Sequence, residues 1–145
     1  MNAHRRRVWS SRRPGKVVAR YAEGKIVKGY TYDFEPEKPS FHLVAGEERV
    51  NEGIEVRVKD LKAVFFVRSF EGDPGYGESE DLYVARPPGT RKVSVEFEDG
   101  EVLVGYTTGN EPGQPGFFFT PLDRNSNNLR VFAVLAAVNT VKRLL

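Results

Sequence analysis

With 145 residues, no cysteine and only two histidines, His4 and His42, the chain has no disulfide framework, no thiolate nucleophile and no Cys-type zinc site. Its net charge of +2 hides an asymmetry: residues 1–20 hold seven basic side chains (Arg5, Arg6, Arg7, Arg12, Arg13, Lys16, Arg20) and no acidic one, which leaves 15 basic against 20 acidic residues in the rest. A body of net charge −5 repels phosphate backbones, no stretch reaches the ~18 apolar residues of a membrane span, and the start lacks the apolar segment of a secretory signal, so a soluble cytoplasmic protein is expected.

Residues 1–15 show no apolar periodicity and end in Pro14-Gly15, so they are expected to form a mobile basic arm. Within the arm, Arg5, Arg6, Arg7, Arg12 and Arg13 surround Trp9, a set able to grip phosphates and stack on a base; a solvated tail is the plainer alternative. The run that follows, KVVARYAEGKIVKGYT from Lys16 to Thr31, returns 76 positions later as KVSVEFEDGEVLVGYT from Lys92 to Thr107. Residues 16–44 and 92–120 share ten identities in 29 ungapped pairs, where unrelated segments share roughly two. The chain therefore reads as two copies of one unit, 16–68 and 92–145, joined by a Gly/Pro-rich acidic linker, 69–91.

Each copy opens with a hairpin. Val93, Val95 and Phe97 alternate with Ser94, Glu96 and Glu98, the period of a half-buried strand, and Glu23-Gly24 and Asp99-Gly100 supply turns. The return strands carry Gly29 and Gly105, five positions after the turn glycines, where a strand glycine marks a bend or a close backbone approach. Then come loops stiffened by two prolines three apart, Pro36/Pro39 and Pro112/Pro115, and the apolar runs Phe41–Val44 and Phe117–Phe119. The first copy continues with Ile54, Val56 and Val58 in alternation, a turn at Asp60-Leu61 and the strand Ala63–Val67. Its counterpart, RVFAVLAAVNTVKRLL, is expected to be strand, short turn, strand; a short C-terminal helix is the alternative, because Val131, Val134, Leu135, Val138, Val141 and Leu145 also fit helical spacing. Within the linker, Leu82-Tyr83-Val84 has the composition of one extra strand, and the Phe65-Phe66 and Phe117–Phe119 runs are core or interface.

This order predicts a mostly β protein, an internal duplication of a five-stranded SH3-like or Sm-like small barrel. The pieces EGKIVKG and DGEVLVG resemble the first Sm signature, over about 50 residues of each copy. No second Sm signature follows, and the acidic body does not favour RNA, so the resemblance implies a fold and not RNA binding. The phrases KDLKAVFFV and YTYDFEPEKPSFHLV are similar to an uncharacterised bacterial family of small β-domains associated with PilZ-type regulatory proteins, which implies a signalling context.

Reactive constellations are not expected. The Arg-x-x-x-Arg and Asp/Asn-x-Ser-x-x-Gly patterns of a cyclic-dinucleotide site do not occur. Asp123–Asn128 opens like a calcium loop but places Asn128 where glycine belongs and Val134 where glutamate belongs, so a polar turn is expected. His42 lies in an apolar run, where a structural histidine is the expectation, and the carboxylates of Glu35, Glu37, Glu47, Glu48, Glu78, Glu80 and Asp81 sit in loops. With no catalytic residue, metal or cofactor indicated, the expected role is a non-enzymatic binding or regulatory module for a protein partner, acting through strand edges or the proline loops. The alternative is nucleic-acid binding through the arginine arm; homo-oligomers are open to it through strand edges.

Overall fold

The computed structural model describes residues 14–46, 53–72, 74–77, 86–109 and 111–144. Among these residues the strands are β1 Gly15–Tyr21, β2 Ile26–Thr31, β3 Ser40–Leu43, β4 Ile54–Arg57, β5 Leu61–Val67, β6 Arg91–Phe97, β7 Val102–Thr107, β8 Gly116–Pro121, β9 Asn128–Val134 and β10 Val138–Arg143. Single 3-10 turns, Val58–Asp60 and Leu135–Ala137, precede β5 and β10. The protein is thus mostly β, and no α-helix occurs among the described residues. The C-terminal helix alternative is corrected: residues 138–143 form a strand against β6. Its apparent helical spacing has a plain cause, because the 3-10 turn between β9 and β10 breaks the period of two and leaves apolar residues three or four apart.

The two halves pair their strands alike. β1 takes β2 and β5 as neighbours, and β6 takes β7 and β10. Tyr21↔Leu61, Arg20↔Ala63, Ala19↔Val64 and Val18↔Phe65 correspond to Phe97↔Val138, Glu96↔Thr140, Val95↔Val141 and Ser94↔Lys142, with the irregularity at the same place. In both hairpins the turn glycine has positive φ, 113° at Gly24 and 94° at Gly100, as a tight turn demands. Gly29 and Gly105 are close approaches: a Cβ at Gly29 would lie 2.9 Å from the Val44 carbonyl oxygen, and one at Gly105 would run into that of Thr120 and the Phe119 ring. The Tyr30–Val44 bridge of the first half is matched by Tyr106↔Thr120 in the second.

Among the described residues two separately closed barrels are not found. Eight strands form one open sheet in the order β10-β6-β7-β8-β9-β5-β1-β2, with β3-β4 attached to β2 through the Tyr30–Val44 bridge. The seam is the antiparallel pair β5–β9, with Ala63↔Ala133, Val64↔Phe132 and Phe65↔Val131 in register. All seven residues of β5 are buried because both of its faces are covered. Val64 and Phe66 join Val17, Phe41, Val56 and Phe132 in one core, whereas Ala63, Phe65 and Val67 join Val93, Val95, Phe97 and Phe117 in the other. Each half therefore completes the other's core. The Phe65-Phe66 run, Phe117 and Phe119 are core, and each such ring is worth roughly 1.5–3 kcal/mol of transfer free energy.

A buried cation locks the seam. Lys62 is 7% exposed, and its Nζ donates to Asp99 Oδ2 at 2.7 Å and to Glu101, both in or beside the hairpin turn of the second half, above the Phe97 ring. The linker start is also fastened: Ser69 exchanges hydrogen bonds with Asn127, Lys28 Nζ donates to the Phe70 carbonyl at 2.9 Å, and Phe70 meets Tyr30 edge-on. The stretch Leu82-Tyr83-Val84 lies outside the described residues.

Candidate functional site

Each proline loop is pinned through a carbonyl, since proline has no N–H to offer. Pro39 O accepts from Val58 N and Pro115 O from Leu135 N, both at 2.9 Å, so each loop is held against the 3-10 turn of its own half. Within the loops Lys38 N bonds Glu35 O and Gln114 N bonds Glu111 O, closing the same turn twice. The seam then brings them together. Glu37, Pro39, Gly113 and Pro115 line one cleft of about 500 Å³, with Ser40, Glu55, Arg57, Val58 and Lys59 completing it.

One wall of this cleft is β4, which pairs with β3 on one side and with no strand on the other among the described residues. Its side chains are of mixed charge, Glu55 and Arg57 on the strand with Glu37 and Lys59 beside it, and Ile54 is 49% exposed at its start. The arrangement offers unpaired backbone groups, a proline-lined apolar wall and charges of both signs.

A second hollow of similar volume, about 500 Å³, lies over β7, β8 and β9 and includes Arg68, Tyr106, Phe118, Thr120, Asp123, Arg124 and Arg130. The Arg130 guanidinium lies over two rings, its Cζ 4.5 Å from the Phe66 centroid and 4.3 Å from that of Phe118. Burial against them lowers its pKa from the ordinary arginine value. Arg68 is structural, donating from Nε to Ser126 O at 3.0 Å and from a terminal nitrogen to Arg124 O at 2.8 Å. Both oxygens of Asp123 are engaged, one by Asn125 N at 2.8 Å and the other by the Tyr76 hydroxyl at 2.5 Å. The calcium-like run 123–128 is thus a polar turn whose oxygens serve its own backbone and its neighbours.

His42 is exposed on β3, with Nδ1 2.8 Å from Asp33 Oδ2. Burial raises the Asp33 pKa, but hydrogen bonds from His42 N and the His42 ring, the histidine's charge and the Thr31 hydroxyl outweigh it and hold the carboxyl below its ordinary value. This pair is a solvated polar contact away from both hollows' lining. The arm residues Arg5, Arg6, Arg7, Trp9, Arg12 and Arg13 lie outside the described residues. No group of three or more His, Cys, Asp or Glu side chains gathers for a metal among those described. Among the described residues no helix is long and apolar enough to cross a membrane.

A family model matches the chain over residues 13–144. The chain belongs to DUF6982, a family of unknown function. The DUF6982 match spans every strand described and begins after most of the arginine arm. No curated protein and no solved structure matches the chain. Arg124 and Arg130 of the second hollow were not singled out in sequence, because each stands alone among polar or apolar neighbours; the usable signal was Arg130 directly ahead of the apolar run Val131–Val134.

Proposed function

We propose that this chain is a non-enzymatic protein-binding module built from two copies of a five-stranded SH3-like or Sm-like unit. The duplication is supported by the common strand order, β5-β1-β2-β3-β4 and β10-β6-β7-β8-β9, and by registers that correspond residue for residue. The partner contributes an extended peptide segment that pairs with the open edge of β4 and lays side chains into the cleft. The observation that carries this reading is the convergence of proline loops from both halves on one cleft beside that edge. Backbone pairing supplies the affinity and the pockets supply the choice of sequence, as in other cases of strand addition. Preorganisation helps, because carbonyl-pinned proline loops lose little freedom on binding.

Selection from a displayed library of random peptides on the full chain tests the reading. Enriched peptides are expected to carry charges complementary to Glu55 and Arg57, and the double reversal Glu55→Lys/Arg57→Glu is expected to weaken them by about tenfold or more. If no peptide is enriched, or if the reversal and Pro115→Ala both leave affinity unchanged, the reading fails.

A further inference from the structure

We propose that the hollow around Arg130 is a binding site for a small phosphorylated ligand bearing a flat ring, of the nucleoside monophosphate class. Ring contacts with Phe66 and Phe118 hold the Arg130 guanidinium in place and give its N–H groups no oxygen acceptor. Among the described residues those groups meet no carboxylate and no other acceptor. A guanidinium fixed in orientation with a free fork is suited to two oxygens of one phosphate.

The surroundings agree in charge. Three arginines and one carboxylate line the hollow, and that carboxylate is already held by Tyr76 and Asn125, so a local positive site stands on a body of net charge −5. The Arg124 side chain has no partner among the described residues, while its carbonyl is held by Arg68, which fixes the base of the side chain near Arg130. Polar and apolar surfaces for the rest of a nucleotide are present: the Thr108 and Thr120 hydroxyls, and Pro87, Pro121 and Leu129, the last 45% exposed. A volume of about 500 Å³ lies within the range of small-molecule sites.

These residues are not copied in the first half. The positions corresponding to Phe118, Thr120 and Arg130 are His42, Val44 and Gly53, so the shared fold does not require them. The site is separate from the proline cleft and stands or falls independently of it.

Titration calorimetry of the full chain with AMP, GMP and inorganic phosphate at low salt tests the assignment. Saturable binding of AMP or GMP is expected, at least about tenfold tighter than inorganic phosphate. Arg130→Gln is expected to weaken it by about tenfold or more, with Arg130→Lys intermediate because an ammonium keeps the charge and loses the fork. Arg57→Gln, in the other cleft, leaves it unchanged. Should Arg130→Gln unfold the chain, Arg124→Gln serves instead, since that side chain makes no hydrogen bond or ion pair with described residues, and it too must weaken binding. Absence of saturable heat up to about 10 mM nucleotide, nucleotide and inorganic phosphate binding alike, or affinity that survives the arginine substitutions overturns the proposal.

Discussion

Lys62 shows how one charged side chain settles inside a run that otherwise reads as core. Burial opposes its charge, but hydrogen bonds to Asp99 and Glu101 and their negative charge outweigh that and raise its pKa above the ordinary lysine value. Asp99 is lowered in return, chiefly by the Lys62 hydrogen bond. For a raised lysine the stabilisation is present below its unfolded pKa and is lost only as pH climbs through the folded one. For a lowered aspartate it is present above the unfolded value and is lost as pH falls through the folded one. The contact therefore holds at neutral pH and opens on the acid side, below about pH 4. Lys62→Met keeps the packing over Phe97 and removes the ion pairs. Because the Asp99 and Glu101 side chains are 51% and 47% exposed, screening limits their net worth to about 1 kcal/mol or less. Urea denaturation at a series of pH values is expected to show a shallower acid-side loss of stability in Lys62→Met than in the parent; identical slopes would refute the assignment.

At the scale of the element, the two strand glycines give a paired test. Gly29 and Gly105 occupy corresponding sites, but the second is tighter, because a Cβ there meets both the Thr120 carbonyl and the Phe119 ring. Gly105→Ala is expected to cost about 1–3 kcal/mol by overpacking, and Gly29→Ala less, as read from urea midpoints. Equal costs would mean that the β7–β8 contact relaxes freely. These glycines and the hairpins were legible in the sequence, since turn chemistry and alternation act over a few neighbouring residues. The seam was not, because β5 and β9 are more than 60 residues apart and periodicity carries no record of such pairing. It left one trace in composition: Leu61–Val67 and Val131–Val134 lose the alternation that β6 keeps, as strands covered on both faces do. The candidate cleft was legible only in its parts. Both proline loops could be read from spacing, whereas their meeting depends on the seam and so became visible only in three dimensions.

For the whole molecule, the seam raises the question of why chains do not join end to end by the same pairing. The outer strands β4 and β10 correspond to β9 and β5, the very pair that forms the seam, so β10 of one copy has the backbone to meet β4 of another. With the 3-10 turns at 58–60 and 135–137 as the common mark, Glu55 and Arg57 stand where β9 has Phe132 and Val134, and Lys142 and Arg143 stand where β5 has Phe65 and Phe66. Joining would carry charges into the positions that four apolar side chains fill inside the chain, and an unpaired buried charge costs several kcal/mol. Charged edge residues are a common device against edge-to-edge association. The parent chain is therefore expected to sediment as a monomer. The quadruple variant Glu55→Phe/Arg57→Val/Lys142→Phe/Arg143→Phe is expected to associate head to tail, into rings if the rotation closes and filaments if it does not. Analytical ultracentrifugation across a concentration series distinguishes the two states. A parent chain that already assembles, with assembly abolished by proline substitution in β10, would show instead that these charges accommodate the joint, while a monomeric quadruple variant would show that something other than charge keeps the edges apart.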